Sequence, residues 1–90
     1  MSMKEETILR KRMILEYESR IGDAVADVRD SQGLDQATVA KAFGCQQPAI
    51  SKLEAGQRSL RFSEIGLLAD SLGVSRSSLI EKLCAAIDGE

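Results

Sequence analysis

The chain has 90 residues, 43% hydrophobic and 29% charged, with a formal net charge of −2. That balance belongs to one globular domain able to bury roughly 60 to 65% of its unfolded surface, too small for a large catalytic cleft. It holds no histidine, which excludes imidazole zinc ligands, Ser-His-Asp and Cys-His nucleophile systems and imidazole proton shuttles.

Helical periodicity runs through the whole chain. Residues 5–20 are good helix formers with no Gly or Pro before Gly22, so they form either a separate N-terminal helix or an extension of the next one. Ile21, Ala24, Val25 and Val28 repeat at helical spacing, predicting a helix that ends near Ser31 before Gly33. Asp35 offers an N-cap oxygen to a second helix of about two turns, with Ala37, Val39, Ala40 and Phe43 as its apolar face and Gly44 as its stop. Gln46 is expected to cap a third helix with Gln47 and Pro48 in its first turn and Ala49, Ile50 and Leu53 facing inward until Gly56. A fourth begins around residues 61–63 and runs through Ile65, Leu68, Ala69 and Leu72 to Gly73. The fifth opens at Ser75 and carries Leu79, Ile80, Leu83, Cys84 and Ile87. The expected fold is all-α: a compact domain over residues 21–87, with residues 1–20 as a helical extension.

The remaining negatives narrow the function. Cys45 and Cys84 lack a CxxC partner and read as small hydrophobes. There is no clustered carboxylate set and no Gly-rich phosphate loop, so neither an enzyme nor a bound cofactor or metal is expected. The apolar run 13–15 is too short to span a bilayer and the charged start lacks a signal core, so a cytoplasmic protein with no membrane partner is expected. Charge is polarised: Lys41, Lys52, Arg58 and Arg61 face only Glu54 within residues 41–61, a window of +3 that leaves −5 for the rest. Local basic patches attract phosphate even on an acidic protein.

Residues 36–55 have what two crossed helices with a tight turn need. Ala40 is small where the helices approach, Gly44 accepts a positive φ, and Val39, Phe43, Cys45, Ile50 and Leu53 are apolar toward a shared core. With Ile50 and Leu53 inward, Gln47, Ser51 and the stem of Lys52 lie outward. A Gln amide can pair bidentately with adenine and a Lys can reach guanine or phosphate. The plainer alternatives are a solvated amide at Gln47, a first-turn residue at Gln36 and a solvated face for Lys41, Arg58 and Arg61.

Through Gly33-Leu34-Asp35-Gln36, Val39-Ala40, Phe43-Gly44, Ile50-Ser51-Lys52-Leu53-Glu54, Gly56 with Arg58, and Leu68-Ala69 to Leu72-Gly73-Val74, the chain resembles the Cro and lambda-repressor-like, or XRE, helix-turn-helix family. The resemblance implies a compact five-helix DNA-binding domain whose recognition helix, about 46–55, lies in the major groove. It implies a sequence-specific transcription regulator. Gln36 would reach the DNA backbone, Gln46, Gln47, Pro48, Ser51 and Lys52 the base edges or phosphates, with Lys41, Arg58 and Arg61 flanking. Glu54 is expected to bond inside the domain. Two residues depart from the family pattern: Pro48 stands where a small hydroxyl or amide residue is common, and Ala55 where Asn is common before Gly56.

One such domain touches few base pairs, so a homodimer on a palindromic operator is expected, with Leu79, Leu83 and Ile87 as its preferred interface and residues 8–13 as a second candidate. The small size resembles controller proteins of restriction-modification systems. The alternative is an antitoxin or interaction module whose main partner is a toxin or other protein and which also binds DNA.

Overall fold

The computed structural model describes residues 2–89; Met1, the first residue of the expected extension, and Glu90 lie outside them. Within these bounds there are five α-helices, a short 3-10 turn and no strand: α1 (Met3–Ser31), α2 (Gln36–Phe43), α3 (Gln47–Glu54), the turn at Phe62–Glu64, α4 (Ile65–Leu72) and α5 (Arg76–Asp88). The open question at the N-terminus resolves into a single helix of 29 residues that runs through the expected boundary at residues 20 and 21. A reciprocal cap starts it: Ser2 Oγ accepts from the Glu5 amide at 3.3 Å and the Glu5 carboxylate accepts from the Ser2 amide at 3.1 Å.

The helix ends follow local chemistry. The Asp35 carboxylate accepts from the Thr38 amide at 2.7 Å and the Ser75 hydroxyl from the Ser78 amide at 3.1 Å. Gly44 takes φ 85°, and the amides of Gly44 and Cys45 both reach the Ala40 carbonyl at 2.9 Å, closing α2 and aiming the chain into α3. Two expectations about helix starts fail. Gln46 stands at the N-cap of α3 without a side-chain capping bond, its long amide lacking the reach geometry of Asp or Ser. The fourth helix starts later than residues 61–63, because the 3-10 turn, in which the Glu64 carboxylate accepts from the Arg61 amide at 2.9 Å, comes first.

The core gathers Val25 and Val28 from α1, Val39 and Ala40 from α2, Ile50 and Leu53 from α3, Ile65, Leu68, Ala69 and Leu72 from α4, and Leu79 and Leu83 from α5. The last two require a correction. Leu79 is 0% exposed and Leu83 7%, so these residues, expected to meet a second copy, are consumed by the intramolecular core. Helical spacing identified the stripe but not that α1 and α4 cover it. Only Ile87 of the expected interface remains partly exposed.

Where α1 crosses the end of α3, the backbones nearly touch. A Cβ on Gly22 would lie 2.5 Å from the carbonyl oxygens of Leu53 and Glu54, and one on Gly56, whose φ is 75°, would lie 2.8 Å from the Ser19 Cα. Glycine at both positions lets the long helix lie against the base of α3 and fixes the orientation of that helix.

Candidate nucleic-acid interface

α3 divides cleanly between core and solvent. Ile50 and Leu53 are buried, whereas Gln47, Pro48, Ser51 and Lys52 are exposed. Gln46 precedes them, exposed at the N-cap. Lys41 near the end of α2 and Arg61 after α3 are also exposed. The outer face of α3 thus carries an amide, a proline ring, a hydroxyl and a cation, a set able to meet base edges and phosphates.

Behind this face lies a chain of side-chain hydrogen bonds. Arg29, on α1, donates from Nε to Glu54 Oε2 at 2.7 Å and from Nη2 to Glu54 Oε1 at 3.0 Å. Both side chains are enclosed, at 14% and 7% exposed respectively, a setting in which a two-point guanidinium–carboxylate pair keeps its geometry. Arg29 Nη1 also donates to the Leu34 carbonyl at 2.8 Å, tying the approach to α2 into the pair. Glu54 Oε1 accepts from Gln36 Nε2 at 3.0 Å, and Gln36 Oε1 accepts from Gln47 Nε2 at 3.3 Å. Burial pushes the Glu54 carboxyl up, but the bonds from Arg29 and Gln36 and the Arg29 charge outweigh it and hold the group below the usual carboxylate range.

Glu54 therefore has the internal partners expected of it, and Gln36 spans the gap between that buried pair and the front of α3. Arg29 was not singled out from the sequence. The available signal was a cation beside Val25 and Val28 on the inward side of α1.

Arg58 occupies a different setting from the other expected cations. Its guanidinium bonds the Glu64 carboxylate at 3.2 and 2.7 Å and lies over the Phe43 ring, 5.8 Å from the centroid. The Arg58 hydrogen bond, joined by the Arg61 amide, lowers the Glu64 pKa. Arg58 clamps the segment after α3, while Lys41, Lys52 and Arg61 make no ion pair among the described residues.

A second surface, apolar, lies on the side where α1 leaves the body. Ile21, Leu60, Phe62, Ile65, Ile80, Leu83, Cys84 and Ile87 line a groove of about 200 Å³. Phe62 at its rim is 83% exposed. This patch replaces the Leu79 stripe as the exposed apolar face of α5.

Comparison with known proteins agrees with this layout. The family model described as helix-turn-helix matches residues 25–79. No curated protein sequence matches the chain. Among solved structures, the restriction-modification controller protein C.AhdI from Aeromonas hydrophila is 28% identical, with 68% of this chain and 88% of that one covered and a TM-score of 0.62. The wild-type controller protein C.Esp1396I is 24% identical, covering 79% and 93%, with a TM-score of 0.70. The clp gene regulator ClgR from C. glutamicum shares the fold at 18% identity, covering 78% and 91%, with a TM-score of 0.70. A five-helix domain with α2 and α3 crossed at Gly44, matched over more than half its length, belongs to the XRE-type helix-turn-helix family of DNA-binding transcription regulators.

Proposed function

We propose that the chain is a non-enzymatic, cytoplasmic regulator that binds a pseudo-palindromic operator as a homodimer, with α3 of each copy in the major groove. The observation that carries this reading is the outer face of α3, where Gln47, Pro48, Ser51 and Lys52 are exposed while Gln47 is held from behind by Gln36. Gln47 and Ser51 then meet base edges, the Pro48 ring meets a thymine methyl, and Lys52 meets guanine or phosphate. Gln36, Gln46, Lys41 and Arg61 address the backbone, and Arg58 supports the loop that follows.

Two copies double the few base pairs that one domain reads, with recognition helices about 34 Å apart. The apolar groove with Phe62, Ile80, Cys84 and Ile87 is the surface best suited to pairing. The test is titration of Gln47→Ala against operator duplexes varied one base at a time, with sedimentation of the complex alongside. The variant should lose about 1 to 3 kcal/mol on the preferred operator and relax one base position per half-site. An equal loss on every sequence moves Gln47 to the backbone, and a single copy per duplex removes the dimer.

One observation favours the second reading, an antitoxin or interaction module. Ile8, Leu9, Met13 and Leu15 on α1 are exposed, a surface a protein partner could cover. A toxin-sized reading frame beside the gene supports that reading; a methyltransferase and nuclease pair supports a controller.

A further inference from the structure

An ionised carboxylate only accepts hydrogen bonds, whereas a glutamine amide has one accepting and one donating end. Glu54, held by two N–H groups of Arg29, therefore dictates how the Gln36 amide must turn. The Gln36 NH2 group points at the carboxylate, and its carbonyl oxygen is left facing Gln47. That oxygen accepts from Gln47 Nε2. What remains free on Gln47 is its carbonyl oxygen and one N–H.

We propose that Glu54 is a positioning residue for base recognition: by fixing the polarity of the Glu54–Gln36–Gln47 chain, it makes Gln47 read adenine and refuse guanine. Adenine offers the major groove an acceptor at N7 and a donor at N6, which match the free N–H and carbonyl oxygen of Gln47. Guanine offers two acceptors, N7 and O6, and needs two donors. Gln47 can aim both N–H bonds at guanine only if its carbonyl turns inward to accept from Gln36. At that point Gln36 presents its carbonyl oxygen, so two oxygens would face each other; to present its NH2 group there instead, Gln36 would have to turn its carbonyl toward the Glu54 carboxylate, again two acceptors with no proton between them. The buried ion pair thus reaches the DNA surface as a choice between two purines, although Glu54 itself touches no base.

This inference rests on the reading of α3 as the base-contacting helix, and the experiment separates the two. A preferred duplex is selected from a randomised pool with the unaltered protein, and its affinity is compared with that of the duplex carrying G·C for A·T at the position Gln47 governs. The ratio of the two affinities is the readout, because loss of folding or of phosphate contacts lowers both together. The ratio should fall about tenfold in Glu54→Gln, whose neutral amide can donate or accept, and in Gln36→Ala, which keeps the Arg29–Glu54 pair and the fold but cuts the chain. A Gln36→Ala protein with an unchanged ratio overturns the inference while leaving the reading of α3 intact, provided Gln47→Ala abolishes the same preference. A ratio that survives Gln47→Ala, or an unaltered protein that selects no duplex, overturns both.

Discussion

The two halves of α1 share one run of backbone hydrogen bonds but live in different surroundings. From Glu18 onward the helix is pressed into the domain, with Glu18 bonded to Ser59, Ser19 against Gly56, Arg20 bonded to the Ile87 carbonyl, Val25 and Val28 in the core and Arg29 bonded to Glu54. From Ile8 to Leu15 it carries five large apolar side chains, Ile8, Leu9, Met13, Ile14 and Leu15, all exposed. An isolated helix shorter than about 12 to 15 residues is marginal in water, so the outer half is helical as the continuation of a helix nucleated on the domain, helped by the Ser2–Glu5 cap. The contrast separates helix formation from helix docking. Propensity and capping suffice for the first; only the inner half has the second.

The largest effect expected on this contrast comes from Gly22→Val. Its branched side chain would be driven into the carbonyl oxygens of Leu53 and Glu54, and a loss of more than about 4 kcal/mol, the range of the severest single substitutions, should leave the chain unfolded by circular dichroism. A melting curve within a few degrees of the unaltered protein would show that α1 and α3 do not touch there.

Next in size is Glu54→Ala, which leaves the enclosed Arg29 guanidinium with only the exposed Asp30 carboxylate, 3.1 Å from Nη1, and should destabilise by about 3 kcal/mol in chemical denaturation, the lower end of the range for a broken buried pair. Acid offers a graded version. The folded Glu54 carboxyl sits below the usual range, so its contribution is complete above the unfolded-state pKa and drains away as pH falls through the folded value. Glu64 and Asp35, lowered chiefly by Arg58 and by the Thr38 amide respectively, act in the same direction. Melting temperature should therefore drop on acidification, and drop less steeply in Glu54→Ala.

The finest test sets Val25→Ala against Met13→Ala. The first removes buried methyl groups and leaves a cavity, for a loss of about 2 to 3 kcal/mol. The second trims an exposed residue and should stay within about 0.5 kcal/mol. Equal losses would mean that the outer half of α1 is covered in solution, and a loss that grows with protein concentration would assign the cover to a second copy.

How much of this could be read from the sequence depended on how local the cause was. Gly44 and Gly73 mark helix ends because they take the positive φ that other residues resist, and Asp35 and Ser75 announce helix starts through their own side chains. The 3-10 turn before α4 stayed hidden because Glu64 bonds both Arg58 and the Arg61 amide, a local clamp with no periodic signature. Leu79 misled for the opposite reason. The period of α5 was correct, but a period states which residues share a face, not which face the rest of the chain covers. At the candidate interface, Gln47 and Lys52 could be placed outward from Ile50 and Leu53 alone. The bond from Arg29 to Glu54 spans 25 positions and follows from the crossing of α1 over α3, which no pattern within either helix contains.

The engagement of Arg58 with Glu64 also sets how the protein should sense ionic strength. A basic side chain that neutralises a DNA phosphate liberates the counterions condensed there, and the logarithm of the binding constant falls with that of salt by about 0.9 per phosphate. A guanidinium already balanced by Glu64 and lying over Phe43 adds little to this release. On the proposed dimer, with Lys41, Lys52 and Arg61 meeting phosphates as the cations that no ion pair engages among the described residues, the expected slope is about −5, against roughly −7 if Arg58 also met a phosphate in each copy. The internal clamp thus leaves binding less dependent on a dilute medium, with more of the discrimination resting on uncharged contacts.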